Sequence, residues 1–261
     1  MGVLSHGRSI PTDRTPVEVA YTRAVGPVPI LVPIPEGGFW MGWEGGLPAE
    51  RPRHRAWVSG FAIAVSPTTN AEYALFLQAT GHAAPPFWGN PRFRDPAQPV
   101  VGVSWFDADL YCAWLTHVTG REHRLPTEAE WEKAARGGIE DARFPWGDDP
   151  PAAVFPDIRG PLPAPPPVGG GRPNGFGLTD LSGVVHEWCL DWHHDGYAAE
   201  GSERDPRGPA HGTRRVSRGG AWRHQVPWSP VAHRSSLLPH LRYSDYGFRV
   251  VATLGPGGSG S

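Results

Sequence analysis

Cysteine is scarce in this chain, whose 261 residues include only Cys112 and Cys189. Two cysteines allow at most one disulfide, and nothing in their spacing demands that it forms. Both have apolar or aromatic neighbours, a setting in which cysteine packs as a small hydrophobic side chain. The sequence therefore predicts two buried free thiols and excludes a fold held together by several disulfides.

Long apolar runs are also missing. No uninterrupted apolar stretch approaches the roughly 18 residues of a membrane-spanning helix, and no basic segment followed by an apolar run lies near the first residue. The net charge is −2, which excludes a strongly basic surface for nucleic acid or anionic lipid. We expect a cytoplasmic monomer with no membrane segment and no nucleic-acid partner.

Lysine occurs only at Lys133, whereas arginine is abundant. Arginine makes planar, two-pronged contacts that lysine cannot make. A GC-rich genome explains the bias equally well, and the sequence leaves open a thermophilic source, although lysine depletion is not the usual signal of one.

Glycine and proline are plentiful, at 34 and 31 residues. Such a composition is common in disordered chains. Here it is combined with 12 Trp, 10 Phe and 6 Tyr, an aromatic content that disordered chains lack. The composition predicts a compact domain with little regular secondary structure and many long, ordered loops.

Three helices are marked by their ends. Each begins with a hydroxyl residue followed three positions later by an acidic one, the capping-box pattern, and each stops at glycine. The starts are Thr69, Ser104 and Thr127, and the stops are Gly81, Gly120 and Gly137. On the second helix we expect the buried side to consist of Phe106, Leu110, Trp114, Leu115 and Val118. Strands are expected at 27–35, as an edge strand, and at 185–190, 214–218 and 247–253.

Several short motifs follow one another in a specific order, at residues 37–42, 99–105, 124–132, 144–147, 173–178, 187–188, 218–222 and 247–249. In this order they resemble the formylglycine-generating-enzyme (sulfatase-modifying-factor) domain family over about residues 30–252. The resemblance implies a single α+β domain of C-type-lectin-like topology with low secondary-structure content and long ordered loops. We place this domain at 27–254, between an N-terminal arm at 1–26 and a flexible tail at 255–261.

The family resemblance also bears on catalysis. The enzymes of this family bind copper(I) through two cysteines that follow an Arg-Gly-Gly motif, and the thiolates suit that soft ion. The matching positions here are His224 and Ser229, and Ala221 replaces the usual serine. The resemblance therefore argues against a copper-thiolate oxidase and favours a protein that is not an enzyme.

Histidine and carboxylate residues in the C-terminal half could in principle bind a metal other than copper(I). Two histidines and a carboxylate suit non-haem iron, and candidates abound in the C-terminal half: His186, His193, His194, His211, His224, His233, His240, Glu187, Asp191, Asp195 and Asp245. No spacing among them resembles a metal motif, so we expect scattered surface histidines and no metal ligand. The family resemblance implies asparagine and tryptophan at two positions that are Val184 and His186 here. Structural calcium at Asp180 and Glu187 stays open, although two carboxylates make no complete cage.

The segment 218–251 also resembles the variable region of diversity-generating retroelement variable proteins, which share this fold. The recurrent frame is matched by Ala232, Arg234, Pro239 and Arg242. The resemblance implies that the positions between are exposed and bind a ligand: Arg223, His224, Gln225, Trp228, His233, Ser235, Ser236, Leu237, Leu238, His240, Leu241, Tyr243, Ser244, Asp245 and Tyr246. We interpret Trp222 and Phe248 as core residues, and Arg234, Arg242 and Arg249 as structural arginines.

The leading hypothesis is a non-catalytic protein that displays this segment to an unknown protein or glycan, with no cofactor beyond possible calcium. Tyrosine and tryptophan supply contact area at low entropic cost, and serine adapts its hydrogen bonds. Two alternatives stay open. One is a copper- or iron-dependent oxidase of the formylglycine-generating class with an altered site, and the other is an inactive regulatory paralogue.

Overall fold

The computed structural model describes residues 28–154, 160–197, 203–224 and 229–254. The expected arm at 1–26 and tail at 255–261 lie outside these ranges. The strands are β1 Leu31–Ile34, β2 Gly37–Met41, β3 His54–Val58, β4 Phe61–Ala64, β5 His123–Arg124, β6 His186–Trp192, β7 Glu203–Arg204, β8 Arg215–Arg218, β9 Arg234–Leu237, β10 Tyr246–Gly247 and β11 Val251–Thr253. The helices are α1 Asn70–Thr80, α2 Trp105–Thr119, α3 Glu128–Arg136 and the short α4 Pro151–Val154.

The three predicted helices are confirmed together with their ends. The side chains of Thr69, Ser104 and Thr127 each accept a hydrogen bond from the backbone N–H three residues on, and the acidic residue at that position bonds back. Each helix closes at a glycine in the left-handed conformation, where a Cβ would be strained. Local chemistry thus decides where these helices begin and end.

The expected buried face of α2 is partly wrong. Trp114 and Leu115 are buried as expected and Val118 is half-buried, but Phe106 and Leu110 are 50% and 49% exposed, and the buried Ala108 was not expected. Residues 106 and 110 lie about half a turn around the helix from 108 and 115, because each residue advances the helix by about 100°. The helix packs on α1 and β5 through its other side.

Three sheets organise the strands, in the orders β1-β4-β11-β5, β10-β6-β8-β9 and β2-β3-β7. The first sheet has β1 at an edge, as the prolines of the segment 27–35 predict. The second carries the residues of interest: β10 runs parallel to β6, and β8 runs antiparallel to both β6 and β9.

The C-terminal strands depart from expectation in two ways. The strand expected at 247–253 is divided between β10 and β11, which belong to different sheets. The polar strand β9 was not predicted, because its sequence Arg-Ser-Ser-Leu has little of the apolar character that marks a strand.

Buried ion pairs tie α3 to the second sheet. Arg218 is fully buried and bonds to Glu128 and Glu132 on α3. Arg234 donates from Nε to Glu128 Oε1 at 2.6 Å and also bonds to three backbone carbonyls.

A further buried ion pair lies outside α3. Arg249 holds Glu187 through two bonds, with Nε to Oε2 at 2.6 Å and Nη2 to Oε1 at 2.7 Å. Structural roles for Arg234 and Arg249 are therefore confirmed.

Further predictions about the core are borne out. Cys112 and Cys189 are buried free thiols, and burial raises the pKa of each above its usual value. Trp222 and Phe248 are 5% and 0% exposed. Across the described ranges, none of the helices combines the length and apolar character needed to cross a membrane.

Candidate functional site

Three side chains with metal-ligand chemistry meet at one end of the second sheet. His186, His224 and Asp245 each offer one ligand atom, and these atoms all lie within 4.8 Å of one another. His186 begins β6, Asp245 immediately precedes β10, and His224 follows the Arg-Gly-Gly turn. The group thus joins three separate parts of the chain.

Backbone pairing explains why His186 and Asp245 are neighbours. Strand β10 pairs in parallel with β6, and Tyr246 lies opposite His186. The N–H of His186 donates to the carbonyl oxygen of Asp245 at 2.8 Å. The pairing of β10 with β6 therefore fixes the position of Asp245 beside His186.

The Arg-Gly-Gly turn brings in His224. Gly219 has a φ of 90°, a conformation that glycine adopts without strain. The buried Trp222 then anchors the segment: its backbone N–H donates to Val184 O at 3.0 Å, and its indole Nε1 donates to Ser244 O at 3.1 Å. Val184 is two residues from His186, and Ser244 is next to Asp245. The bonds of Trp222 to these neighbours therefore hold His224 close to His186 and Asp245.

The two imidazoles face each other. The Nε2 atoms of His186 and His224 are 3.2 Å apart, and the ring planes are tilted by 58°. An ion about 2.1 Å from each nitrogen would see this 3.2 Å separation at an angle of about 100°. That angle suits two neighbouring ligands of one metal ion.

Burial keeps these rings neutral. Burial, followed by the charges of His224, His233 and Arg223, lowers the pKa of His186 to about 3. Burial also lowers the pKa of His224, against the opposing effect of Asp245. Neutral imidazole is the form that binds metal, so both rings are prepared for an ion near neutral pH.

Asp245 presents one oxygen to the group. Its Oδ2 pairs with Arg223 Nε at 2.7 Å. Its Oδ1 is buried and has no hydrogen-bond partner among the described residues, and the same holds for His186 Nδ1. An unpaired buried carboxylate oxygen is costly, and a bound cation would remove that cost.

An aromatic ring and hydroxyl side chains lie next to the three residues. The Tyr246 ring stacks on His186 with centroids 4.7 Å apart. Ser217 Oγ donates to the Tyr246 hydroxyl at 3.4 Å, and Ser235 lies opposite Ser217 on β9. Nearby, His233 Nδ1 is 3.1 Å from Glu50 Oε1.

The fifteen residues expected to be exposed divide into groups. Arg223, His240 and Tyr243 are exposed, and the half-buried ones are His224, His233, Ser235, Ser236, Leu238, Leu241 and Ser244. Leu237, Asp245 and Tyr246 are buried, at 7%, 3% and 5% exposure, so the expectation is wrong for these three. Leu237 and Tyr246 belong to the same buried hydrophobic cluster as Trp188, and Asp245 forms an ion pair with Arg223. Gln225 and Trp228 fall outside the described residues.

The expectation of scattered surface histidines is also wrong for His186, which is 4% exposed and meets His224. These partners are 38 positions apart, a separation that no metal motif covers. The comparison with the family pattern nevertheless marks both positions. Positions 186 and 224 are both departures from the family pattern, where tryptophan and cysteine are usual, and the two departures meet in space.

Calcium at Asp180 and Glu187 and copper(I) at a cysteine pair both fit the structure poorly. Asp180 accepts bonds from Gly169 N, Gly171 N and Thr179 Oγ1. Glu187 accepts from Trp131 and Arg249. These carboxylates are engaged, so structural calcium there stays a prediction that the geometry does not support. A copper(I)-thiolate pair does not fit either, because neither cysteine belongs to the group of three.

Comparison with known proteins places the fold. The formylglycine-generating enzyme of Streptomyces coelicolor is 36% identical, and the match covers 84% of this chain and 88% of that enzyme. The serine/threonine-protein kinase pkn1 of Chlamydia pneumoniae is 35% identical, and the match covers 92% of this chain but only 42% of the kinase. Among solved structures, Treponema denticola variable protein 1 superposes with a TM-score of 0.73 at 25% identity, covering 86% of this chain and 95% of that one.

These matches confirm the C-type-lectin-like α+β fold of formylglycine-generating enzymes, with few helices and long loops. Fold alone does not give function, since catalytic and binding proteins share this one. The FGE-sulfatase profile, described as the sulfatase-modifying factor enzyme 1-like domain, matches residues 17–254, and the chain belongs to this family.

Proposed function

We propose that this protein is a metal-dependent oxidase of the formylglycine-generating class whose metal is held by His186, His224 and Asp245. The observation that carries the proposal is the convergence of three ligand atoms within 4.8 Å, one from each of these residues. Asp245 also has a buried oxygen, Oδ1, without a hydrogen-bond partner among the described residues. The proposal departs from our leading interpretation of the sequence, in which these residues belong to a non-catalytic surface.

The donor set suggests the metal. Two imidazole nitrogens and one carboxylate oxygen are the donor set of non-haem Fe(II) proteins that react with dioxygen. An Fe(II) ion held by His186, His224 and Asp245 would supply the activation of dioxygen. Copper(I) prefers the sulfur ligands that this group lacks, so iron is favoured over the copper of related enzymes.

The surrounding residues have distinct tasks in this proposal. Arg223 holds one oxygen of Asp245 and leaves the other for the ion. The stacked Tyr246 restricts rotation of the His186 ring. Because His186 and Asp245 are almost fully buried, water is excluded from most of the metal's surroundings, which strengthens its electrostatic effect on a bound substrate.

Metal binding is the first test. Purified protein is stripped with a chelator, reloaded with Fe(II) without oxygen, and analysed for bound metal. We expect one equivalent in the wild type and a loss of at least about tenfold in affinity for His224→Ala and Asp245→Asn. His240→Ala, which removes an exposed histidine of the same segment, is the matched control and should bind normally.

The outcomes separate two parts of the proposal. Equal metal uptake by all four proteins would show that the ion binds elsewhere and reject this site. A stoichiometric metal lost in both site variants, without metal-dependent dioxygen consumption in the presence of a reductant, would retain the metal site and reject the oxidase. Circular dichroism must show that each variant is folded.

A second candidate is the ligand-binding protein favoured by the sequence. Its support is the similarity to the Treponema denticola variable protein, together with the exposure of Arg223, His240 and Tyr243. A near-duplicate of the DNA for residues 218–251, differing mainly at adenines and lying beside a reverse-transcriptase gene, would favour it. Absence of both would reject it. The buried Leu237, Asp245 and Tyr246 do not suit display.

A further inference from the structure

The group of three reaches solvent on one side. His186 and Asp245 are 4% and 3% exposed, His224 is half-buried, and the Arg223 side chain is 49% exposed. Of the described residues that form the group or bond to it, His224 and Arg223 are therefore the ones that an incoming molecule meets first. The Arg223 guanidinium therefore lies at the solvent-exposed boundary of the group.

The charge of the loaded site is positive. A divalent ion carries two positive charges, and Asp245 neutralises only one of them. Arg223 adds a further positive charge, with its Nε 2.7 Å from Asp245 Oδ2. Because most of the group is buried, water screens this excess poorly, and an anionic substrate group would stabilise it.

We propose that Arg223 binds a carboxylate of the substrate, so that this site selects anionic over neutral substrates. The inference rests on the metal-dependent function proposed above. A guanidinium has two edges that donate hydrogen bonds. The Nε atom directs one edge at Asp245, and the edge formed by the two terminal amino groups matches a carboxylate in a two-pronged contact.

A purely positioning role for Arg223 is the competing explanation. In that case the side chain only turns Asp245 toward the ion. Its removal would weaken metal binding but would lower the preference for a charged ligand by much less than the loss of a direct contact does, because the guanidinium charge would then act on the ligand only from a distance. Direct binding of the substrate carboxylate makes the fall in that preference large, so the two roles are separated by measuring both quantities in the same variants.

The experiment uses the full chain loaded with Co(II), whose visible absorption responds to ligands at or near the ion. Propionate and propionamide, which differ in charge but little in shape, are titrated separately. The variants are Arg223→Ala and Arg223→Gln, in which the glutamine amide can still donate to Asp245 without a positive charge. The control is Arg121→Ala, an exposed arginine that bonds to the Thr253 carbonyl.

We expect wild type and Arg121→Ala to share the same preference for propionate. In both Arg223 variants this preference should fall by about 10- to 100-fold, the effect of losing hydrogen bonds to a charged group. Arg223→Gln should still bind cobalt, so that the comparison survives if Arg223→Ala does not.

Two results would overturn the assignment. One is equal binding of propionate and propionamide by the cobalt-loaded wild type, and the other is an unchanged preference in Arg223→Gln. A wild type that takes up no cobalt is a different failure. It rejects the metal function itself, and the anion site falls with it.

Discussion

The imidazoles of His186 and His224 lie with their Nε2 atoms 3.2 Å apart, although the two residues are 38 positions apart in the chain. In the metal-free protein the two rings can share one proton between these nitrogens. An ion would replace that proton and add Asp245 as a third ligand. The first prediction follows from this exchange.

Metal binding should raise the melting temperature. An ion that binds only the folded state, at about 100 times its Kd, stabilises the fold by about 2.7 kcal/mol. For a chain of this size that corresponds to a rise of about 5–10 °C. Differential scanning calorimetry with and without Fe(II) or Co(II) measures the rise. His224→Ala should show little of it and His240→Ala all of it, and an equal rise in both variants would contradict the site.

The buried pair between Glu187 and Arg249 should be essential for folding. Both side chains are fully buried, and Glu187→Gln would leave the Arg249 charge without its partner. We expect a loss of about 3–5 kcal/mol in the free energy of unfolding, measured with urea. The control is Glu140→Gln in the surface pair with Arg55, which should cost less than about 1 kcal/mol. Similar losses in the two variants would contradict this difference.

Asp191 should make stability fall as the pH rises. Burial, followed by the charge of Glu128, raises the pKa of Asp191 to about 7. The unfolded carboxyl ionises near its ordinary pKa of about 3.9, whereas the folded one keeps its proton until about 7. The folded state therefore binds more protons in this window. Its stability decreases between these values, and the full penalty is present above pH 7.

Asp191→Asn tests this, because the amide oxygen can still accept the Glu128 N–H that Asp191 Oδ2 accepts at 2.7 Å. Urea unfolding at pH 5 and pH 8 gives the difference in stability between wild type and variant. We expect this difference to shift in favour of the variant by roughly 2–3 kcal/mol at the higher pH. A constant difference would show that Asp191 is ionised throughout.

Two leucines of α2 test which face of that helix is buried. Leu115 is 2% exposed and Leu110 is 49% exposed. Leu115→Ala should cost about 2–5 kcal/mol through lost burial and a cavity. Leu110→Ala should cost less than about 1 kcal/mol, since most of its side chain already faces water. Chemical denaturation of both proteins is sufficient, and a larger loss for Leu110→Ala would reverse the assignment.

Local features were predictable from the residues. A helix that starts at Ser104 and stops at Gly120 is decided by hydrogen bonds three or four residues long, and the structure reproduces it. The buried Trp222 and the carbonyl-bound Arg249 were also anticipated. The side of α2 that faces the core was anticipated for Trp114 and Leu115 but not for Phe106 and Leu110, because apolar residues surround the helix and only its packing on α1 and β5 selects among them.

The sequence by itself determined the family, the helix ends, the free thiols and the departures from the family pattern at 186 and 224. Only the tertiary structure decided that those departures meet, together with Asp245. The physical reason is that the meeting depends on the parallel register of β10 against β6 and on the bonds of Trp222, which join residues far apart in the chain. Contacts of that kind leave no periodic or spacing signal, so an apparently scattered set of histidines becomes a candidate metal site only once the chain is folded.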